Sequence, residues 1–212
     1  MATTYANYEN FGTYANEIVN NSTIAYQRVR DLYTTVEELN NPNGWKGVYY
    51  DGVVKVFNDV RESFNKTFRS IQEEIPASIR SIASLYASFD TSSVAKAADT
   101  FDQISEIAFS NVTALTFDRT NVPAAKDKIH SLLEQATENI VNIKNVMKNM
   151  NTDWQGDEYD NIAEKVFYYI GVLEGNLTTI RTNFDNLFNK AYQEYLDTQT
   201  KVQSTLDISD RA

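Results

Sequence analysis

Trp45-Lys46-Gly47-Val48-Tyr49-Tyr50-Asp51 returns 109 positions later as Trp154-Gln155-Gly156-Asp157-Glu158-Tyr159-Asp160, and what flanks the two copies decides the fold. Ahead of the first copy, Phe11, Tyr14, Ile18, Ser22, Ala25, Val29, Leu32, Val36 and Leu39 follow one another in steps of three and four, the seam of a helix packed along its length. Asn41-Pro42-Asn43-Gly44 then stops it, because proline removes a backbone donor and glycine accepts turn conformations. Behind the motif a second seam runs through Tyr50, Val53, Phe57, Val60, Phe64, Phe68, Ile71, Ile75, Ile79, Ile82, Tyr86 and Phe89. Pro76 interrupts this run without shifting its phase, which predicts a kink in one long helix.

Both seams recur. Adding 111 to the first gives Val122, Ala125, Ile129, Leu133, Ala136, Ile140, Ile143, Met147 and Met150. Adding 109 to the second gives Tyr159, Ile162, Val166, Tyr169, Leu173, Leu177, Ile180, Phe184, Phe188, Ala191, Tyr195 and Thr198. The offset changes inside the turn, where the first copy has the longer loop. A repeat this regular predicts two copies of one unit: helix, Trp-x-Gly turn, helix. The spacing predicts helices over 10–40, 48–90, 121–149 and 157–206, the one over 48–90 about 65 Å from end to end. One hairpin leaves an apolar stripe uncovered along its whole length, so the two must pack together. The expected fold is all-α, a four-helix bundle built from a first hairpin (1–90), a linker (91–120) and a second hairpin (121–212).

The linker indicates how the hairpins are arranged. Parallel hairpins need only a handful of connecting residues. Antiparallel ones need a chain that travels back along the bundle. The linker has about thirty residues, which reach roughly 40 Å if partly helical and partly extended. Ser92 or Ser93 as a cap, with Val94, Ala98, Phe101, Ile104 and Ala108 on one face, predicts a short amphipathic helix, followed by an irregular stretch over 111–118. The hairpins are therefore expected to be antiparallel, with the linker lying on the side of the bundle.

Two long helical hairpins turning at Trp-x-Gly resemble the WXG family, the small ESAT-like substrates of type VII secretion systems. Residues 8–90 and 119–206 each look like one such unit, so the resemblance covers most of the chain. It implies that Trp45, Gly47, Trp154 and Gly156 are the turn motifs, and that a Tyr-x-x-x-acid export signal stands near the end of a second helix. Tyr86 and Asp90 fit that signal; in the second copy the aligned Tyr195 is followed four residues on by Gln199, which does not. An antiparallel pairing would put Tyr86 and Asp90 beside Trp154 and Gly156, and Trp45 beside the sequence around Tyr195. The resemblance further implies an export ATPase of a Gram-positive secretion machinery as partner, and a chain made in the cytoplasm and secreted without a cleaved signal peptide.

Composition bounds the rest. Seven glycines and three prolines in 212 residues are too few for a loop-rich β-protein. A net charge of −10 argues against a nucleic-acid partner, since phosphate binding needs clustered lysine and arginine. The absence of cysteine excludes disulfides, thiolate catalysis and thiolate metal sites. No apolar run approaches the roughly 18 residues of a membrane span, and Met1–Asn7 lacks the basic and apolar regions of a secretory signal. His130 is the only histidine, and the acidic pairs Glu37-Glu38, Glu73-Glu74 and Asp157-Glu158 are neighbours whose side chains diverge on a helix. Neither a phosphate-binding glycine loop nor a nucleophile elbow is present. The expectation is a non-enzymatic protein with no cofactor and no metal, a monomeric pseudo-dimer, with self-association left open.

The leading functional reading is thus a secreted effector, or an escort for another secreted helical protein. The alternative is an intracellular helical adaptor or chaperone for a toxin or other secreted partner. The two predict different surfaces. A carrier needs an exposed apolar strip, for which Phe101, Ile104 and Ile107 are the candidates. A self-sufficient bundle keeps that strip buried.

Overall fold

A computed structural model describes residues 5–6, 10–85 and 101–209. Its elements are β1 (Tyr5–Ala6), α1 (Phe11–Glu38), β2 (Trp45–Lys46), α2 (Val48–Arg69), α3 (Ile75–Ala83), β3 (Thr116–Phe117), α4 (Asn121–Asp153), β4 (Trp154–Gln155) and α5 (Asp157–Ser209). The fold is an all-α four-helix bundle, in which α1 packs chiefly on α4 and α2 on α5. The seams read from the sequence supply its core: Ile18, Val29, Leu32, Phe57, Phe64, Phe68, Ile129, Ile140, Ile143, Val166, Leu173 and Ile180 are all fully buried.

The two hairpins are antiparallel. Near the start of α1, Asn10 and Tyr14 both donate to Asp153 at the end of α4, over 2.8 and 2.6 Å. At the other end, Asn121 at the start of α4 reaches the carbonyl of Asn43 just beyond α1. Asn176 of α5 donates to Ser63 of α2 over 2.8 Å, midway along the bundle.

Pro76 acts differently from a simple kink. Residues Ser70–Glu74 form a turn of π-helix between α2 and α3, and the N–H of Ile75 bonds to the carbonyl of Ser70, five residues back. Proline has no N–H to give the carbonyl of Gln72, and its ring crowds that carbonyl. Widening the helix by one residue relieves the crowding. The aligned position in the second copy is Asp185, and there α5 runs unbroken for 53 residues, about 80 Å. Beyond Ala191, the last fully buried residue of α5, the helix carries on past the bundle with Leu196, Val202 and Leu206 exposed.

The linker departs from expectation. Residues 101–110 are not helical but extended. They form a strap that runs antiparallel to α2, from the level of Asn65 to the level of Asp51. The predicted helix start at Ser92 or Ser93, together with Tyr86 and Asp90, lies outside the described residues.

Candidate functional site: two interlocked Trp-x-Gly ends and a strapped groove

At each turn the chain does three things in three residues. The tryptophan is extended and turns its indole into the core, with Trp45 and Trp154 both fully buried. The middle residue completes a two-residue strand. The glycine then takes a positive φ, +99° at Gly47 and +124° at Gly156, which side-chain-bearing residues rarely adopt, and the next helix begins. At Gly47 a Cβ would also lie 2.8 Å from the carbonyl oxygen of Ala114. The two turns match in finer detail. Tyr50 donates to the carbonyl of Val36, and Tyr159 donates to the carbonyl of Met147, the same pair shifted by the repeat offsets. Burial pushes both phenols up from the ordinary tyrosine range.

Each turn is closed by the other hairpin's leading segment. β2 pairs antiparallel with β3, Trp45 opposite Phe117, just before the second hairpin begins. β4 pairs antiparallel with β1, Trp154 opposite Ala6, just before the first hairpin begins. Adding 111 to Tyr5–Ala6 gives Thr116–Phe117, so the repeat includes these strands and the hairpins exchange them.

The aromatic surroundings of the two ends differ. Trp45 sits edge-on to Phe117, Phe184 and Phe188, with centroids 5.9 to 6.2 Å away, and Phe117 in turn meets Tyr195 at 5.7 Å. The first Trp-x-Gly turn is therefore brought to the sequence around Tyr195, as expected. Trp154 lies 4.7 Å from Phe11 and 6.1 Å from Tyr159. Both indole N–H groups are buried without a hydrogen-bonding oxygen or nitrogen, so apolar packing alone holds the rings. At the Trp154 end, the bonds from Tyr14 and then Asn10 hold the Asp153 carboxyl below its usual range, while burial and the Asp153 bond push the Tyr14 phenol up to about 12.

The strap occupies the groove between α1 and α2. Asn65 donates to the carbonyl of Ile104 and accepts from its N–H; Asn58 does the same for Ile107; Asp51 accepts from the N–H of Ser110. The Ser110 hydroxyl accepts from the N–H of Gly47, tying the strap to the turn. Asp51, Asn58 and Asn65 are spaced by sevens on a helix, a step of about 10.5 Å. Three extended residues cover about 10 Å, so the two ladders stay in register. Every third strap side chain then faces the groove: Phe101 stacks on Tyr26 at 4.5 Å, and Ile104 and Ile107 are 4% and 3% exposed. The strip Phe101, Ile104 and Ile107 is thus not an open partner-binding surface; the protein's own hairpin covers it.

The strap's holders escaped the sequence reading, although a signal for them exists. Tyr50-Asp51, Phe57-Asn58 and Phe64-Asn65 are three aromatic–Asx pairs at intervals of seven, each Asx standing next to a seam aromatic. His130 is half-buried and bonded to Asp185 over 2.7 Å. Among the described residues, no three His, Asp or Glu side chains are grouped to hold a metal ion, and no helix is long and apolar enough to cross a membrane.

These features define a class: an all-α protein of two antiparallel hairpins that close one another's Trp-x-Gly turns. No family model, curated protein or solved structure matches this chain.

Proposed function

We propose that this chain is a non-enzymatic substrate of a Gram-positive type VII secretion system, a single-chain counterpart of the WXG dimer that leaves the cell folded as an effector or an escort. One observation carries the reading. Each Trp-x-Gly turn is completed by a strand from the other hairpin, as two subunits of a dimer would complete each other. The chain joins in one polypeptide what the WXG resemblance assigns to two.

The test is the amount of protein in the culture medium of the native organism, with and without the export ATPase. Export that disappears with the ATPase supports the reading; retention in both strains rejects it. Among exported variants, Tyr86→Ala and Asp90→Ala should lower secretion without lowering the cellular level, since the WXG resemblance places the signal there.

A second reading, an intracellular adaptor for a secreted helical partner, draws on the length of α5. The helix continues beyond the bundle with Leu196 and Val202 exposed, which a chain closed on itself does not need. Retention in both strains would favour it.

A further inference from the structure

The strap is held by side chains that the repeat does not supply. The offsets that superpose the Trp-x-Gly turns carry Tyr26, Asn58 and Asn65 to Thr137, Phe167 and Glu174, so these holders belong to the first hairpin alone. What they grip is main chain. Asn58 and Asn65 each pair with one N–H and one C=O, and the Tyr26 hydroxyl donates to the carbonyl of Asp102 over 2.6 Å. Any extended segment offers those groups. Selectivity comes from the strap's side chains. Phe101, Ile104 and Ile107 enter the groove, and two acids between them meet cations on opposite walls. Asp102 reaches Arg30 of α1, and Glu106 reaches Arg61 of α2, each over 3.6 Å. At one place the strap and the wall do not match. Gln103 precedes Glu106 by one three-residue step and lies at a hollow of about 270 Å³ whose lining includes Arg61, Lys66 and Arg69. Arg61 and Arg69 are engaged by Glu62, Glu106 and Glu73. Lys66 is exposed and has no ionic partner among the described residues, and the strap sets an uncharged amide at its hollow.

We infer that the α1/α2 groove is a binding site for an extended acidic–apolar segment of a partner protein, and that the strap is a displaceable stand-in for that segment. The strap itself specifies the occupant. It is an aromatic residue followed by two acids and an apolar residue, with a second apolar residue, preceded by an acid, three positions further on. The second of the two adjacent acids is the one feature the strap lacks, and it would sit at Lys66. Displacement does not require the bundle to open. The strap leaves with three groove-facing side chains, while the α1–α4 and α2–α5 contacts that make the bundle stay in place. The inference concerns this groove alone and does not depend on export.

The probe is a fluorescein-labelled peptide of residues 101–110 carrying Gln103→Glu, titrated into the intact chain at low salt and followed by anisotropy. The tethered strap competes at an effective concentration of roughly millimolar. The same titration is therefore run on a chain whose strap is loosened by Ile104→Ala with Ile107→Ala, which leaves the groove wall unchanged. The expected result is saturable binding to the intact chain, about tenfold or more tighter in the loosened one. In the intact chain, binding should strip hydrogen-exchange protection from the Ile104 and Ile107 amides. The peptide without Gln103→Glu should bind about two- to fivefold more weakly, the worth of one exposed ion pair, and Lys66→Ala in the protein should erase that difference. No saturable binding to either chain overturns the inference. Binding confined to the loosened chain also overturns it, because the strap would then be a fixed part of the fold. So does binding that leaves the Ile104 and Ile107 amides protected, since the peptide would then sit elsewhere. An advantage of Gln103→Glu that is absent, or that survives Lys66→Ala, overturns the assigned occupant.

Discussion

Single residues set the geometry of the two ends. Gly47 and Gly156 both take a positive φ, and at Gly47 a Cβ would also stand 2.8 Å from the carbonyl oxygen of Ala114. Gly47→Ala should therefore cost more than the roughly 1–2 kcal/mol of backbone strain that a positive φ alone imposes, because the backbone at Ala114 must also shift. Urea unfolding of the variant checks this; a loss of only about 1–2 kcal/mol would mean that the chain gives way freely at Ala114. Asp153 gives a second prediction. Its folded pKa lies below its unfolded value, since Tyr14 and Asn10 donate to the charged form. A depressed carboxyl contributes stability that is present above its unfolded pKa, near 4, and is lost as pH falls through the folded value. The stability gap between the native chain and Asp153→Asn should accordingly be full at neutral pH and shrink below about pH 4. A gap that stays constant with pH would show that the ionised carboxylate is not what joins α1 to α4.

At the scale of elements, the strap is the feature most exposed to test. Each of Asn58 and Asn65 makes two bonds to strap backbone, so replacement by leucine leaves a buried N–H and C=O unpaired. Each single change should cost about 1–3 kcal/mol. The double change should release amide protection at Ile104 and Ile107 while the helix cores stay protected, read by hydrogen exchange. Asn58→Asp should fall in between, because a carboxylate still accepts from the Ile107 N–H but donates nothing to its carbonyl. The same segment shows what the sequence can and cannot tell. Long seams of Ile, Leu, Val and Phe with a 3.6-residue period place the four helices and the starts at 48, 121 and 157, although the second seam continues to Phe89 and the helix ends at Ala83; the doubled Trp-x-Gly specifies the turns. Phe101, Ile104 and Ile107 are legible as an apolar strip, but not as a strap that the chain's own hairpin covers. A spacing of three fits one face of a helix and also an extended chain docked on a heptad ladder, and only the partner surface decides. The paired strands were hidden for another reason: two residues carry no periodicity, and only the repeat offset applied to Tyr5–Ala6 points to Thr116–Phe117. The π-turn was half legible, since Pro76 announces a disturbance but not which carbonyl yields.

For the whole molecule, the main question is whether either hairpin is a folding unit. The principal helix contacts are α1 with α4 and α2 with α5, so the interface between hairpins is the core of the protein. A hairpin alone would expose fully buried side chains such as Leu32, Phe57, Ile140 and Leu173, and would lose the strand that closes its turn. Burial at roughly 25 cal/mol per Å² of apolar surface is the main favourable term in folding, and separation removes most of it from both halves. The intact chain should thus unfold in a single transition by both circular dichroism and tryptophan fluorescence, even though Trp45 and Trp154 report on opposite ends. Cut into 1–90 and 91–212, the halves should each be largely unstructured and regain helicity on mixing, as a one-to-one complex. The cut leaves the strap on the second fragment although its groove is on the first, so Asn58→Leu with Asn65→Leu in 1–90 should weaken that complex, by tenfold or more at about 1.4 kcal/mol per decade. Sedimentation and helix content of the separate and mixed fragments decide the matter. A 1–90 fragment that folds alone as a monomer would mean that its seam is satisfied within one hairpin, and the exchanged strands would then be a latch between two finished domains instead of part of one cooperative core.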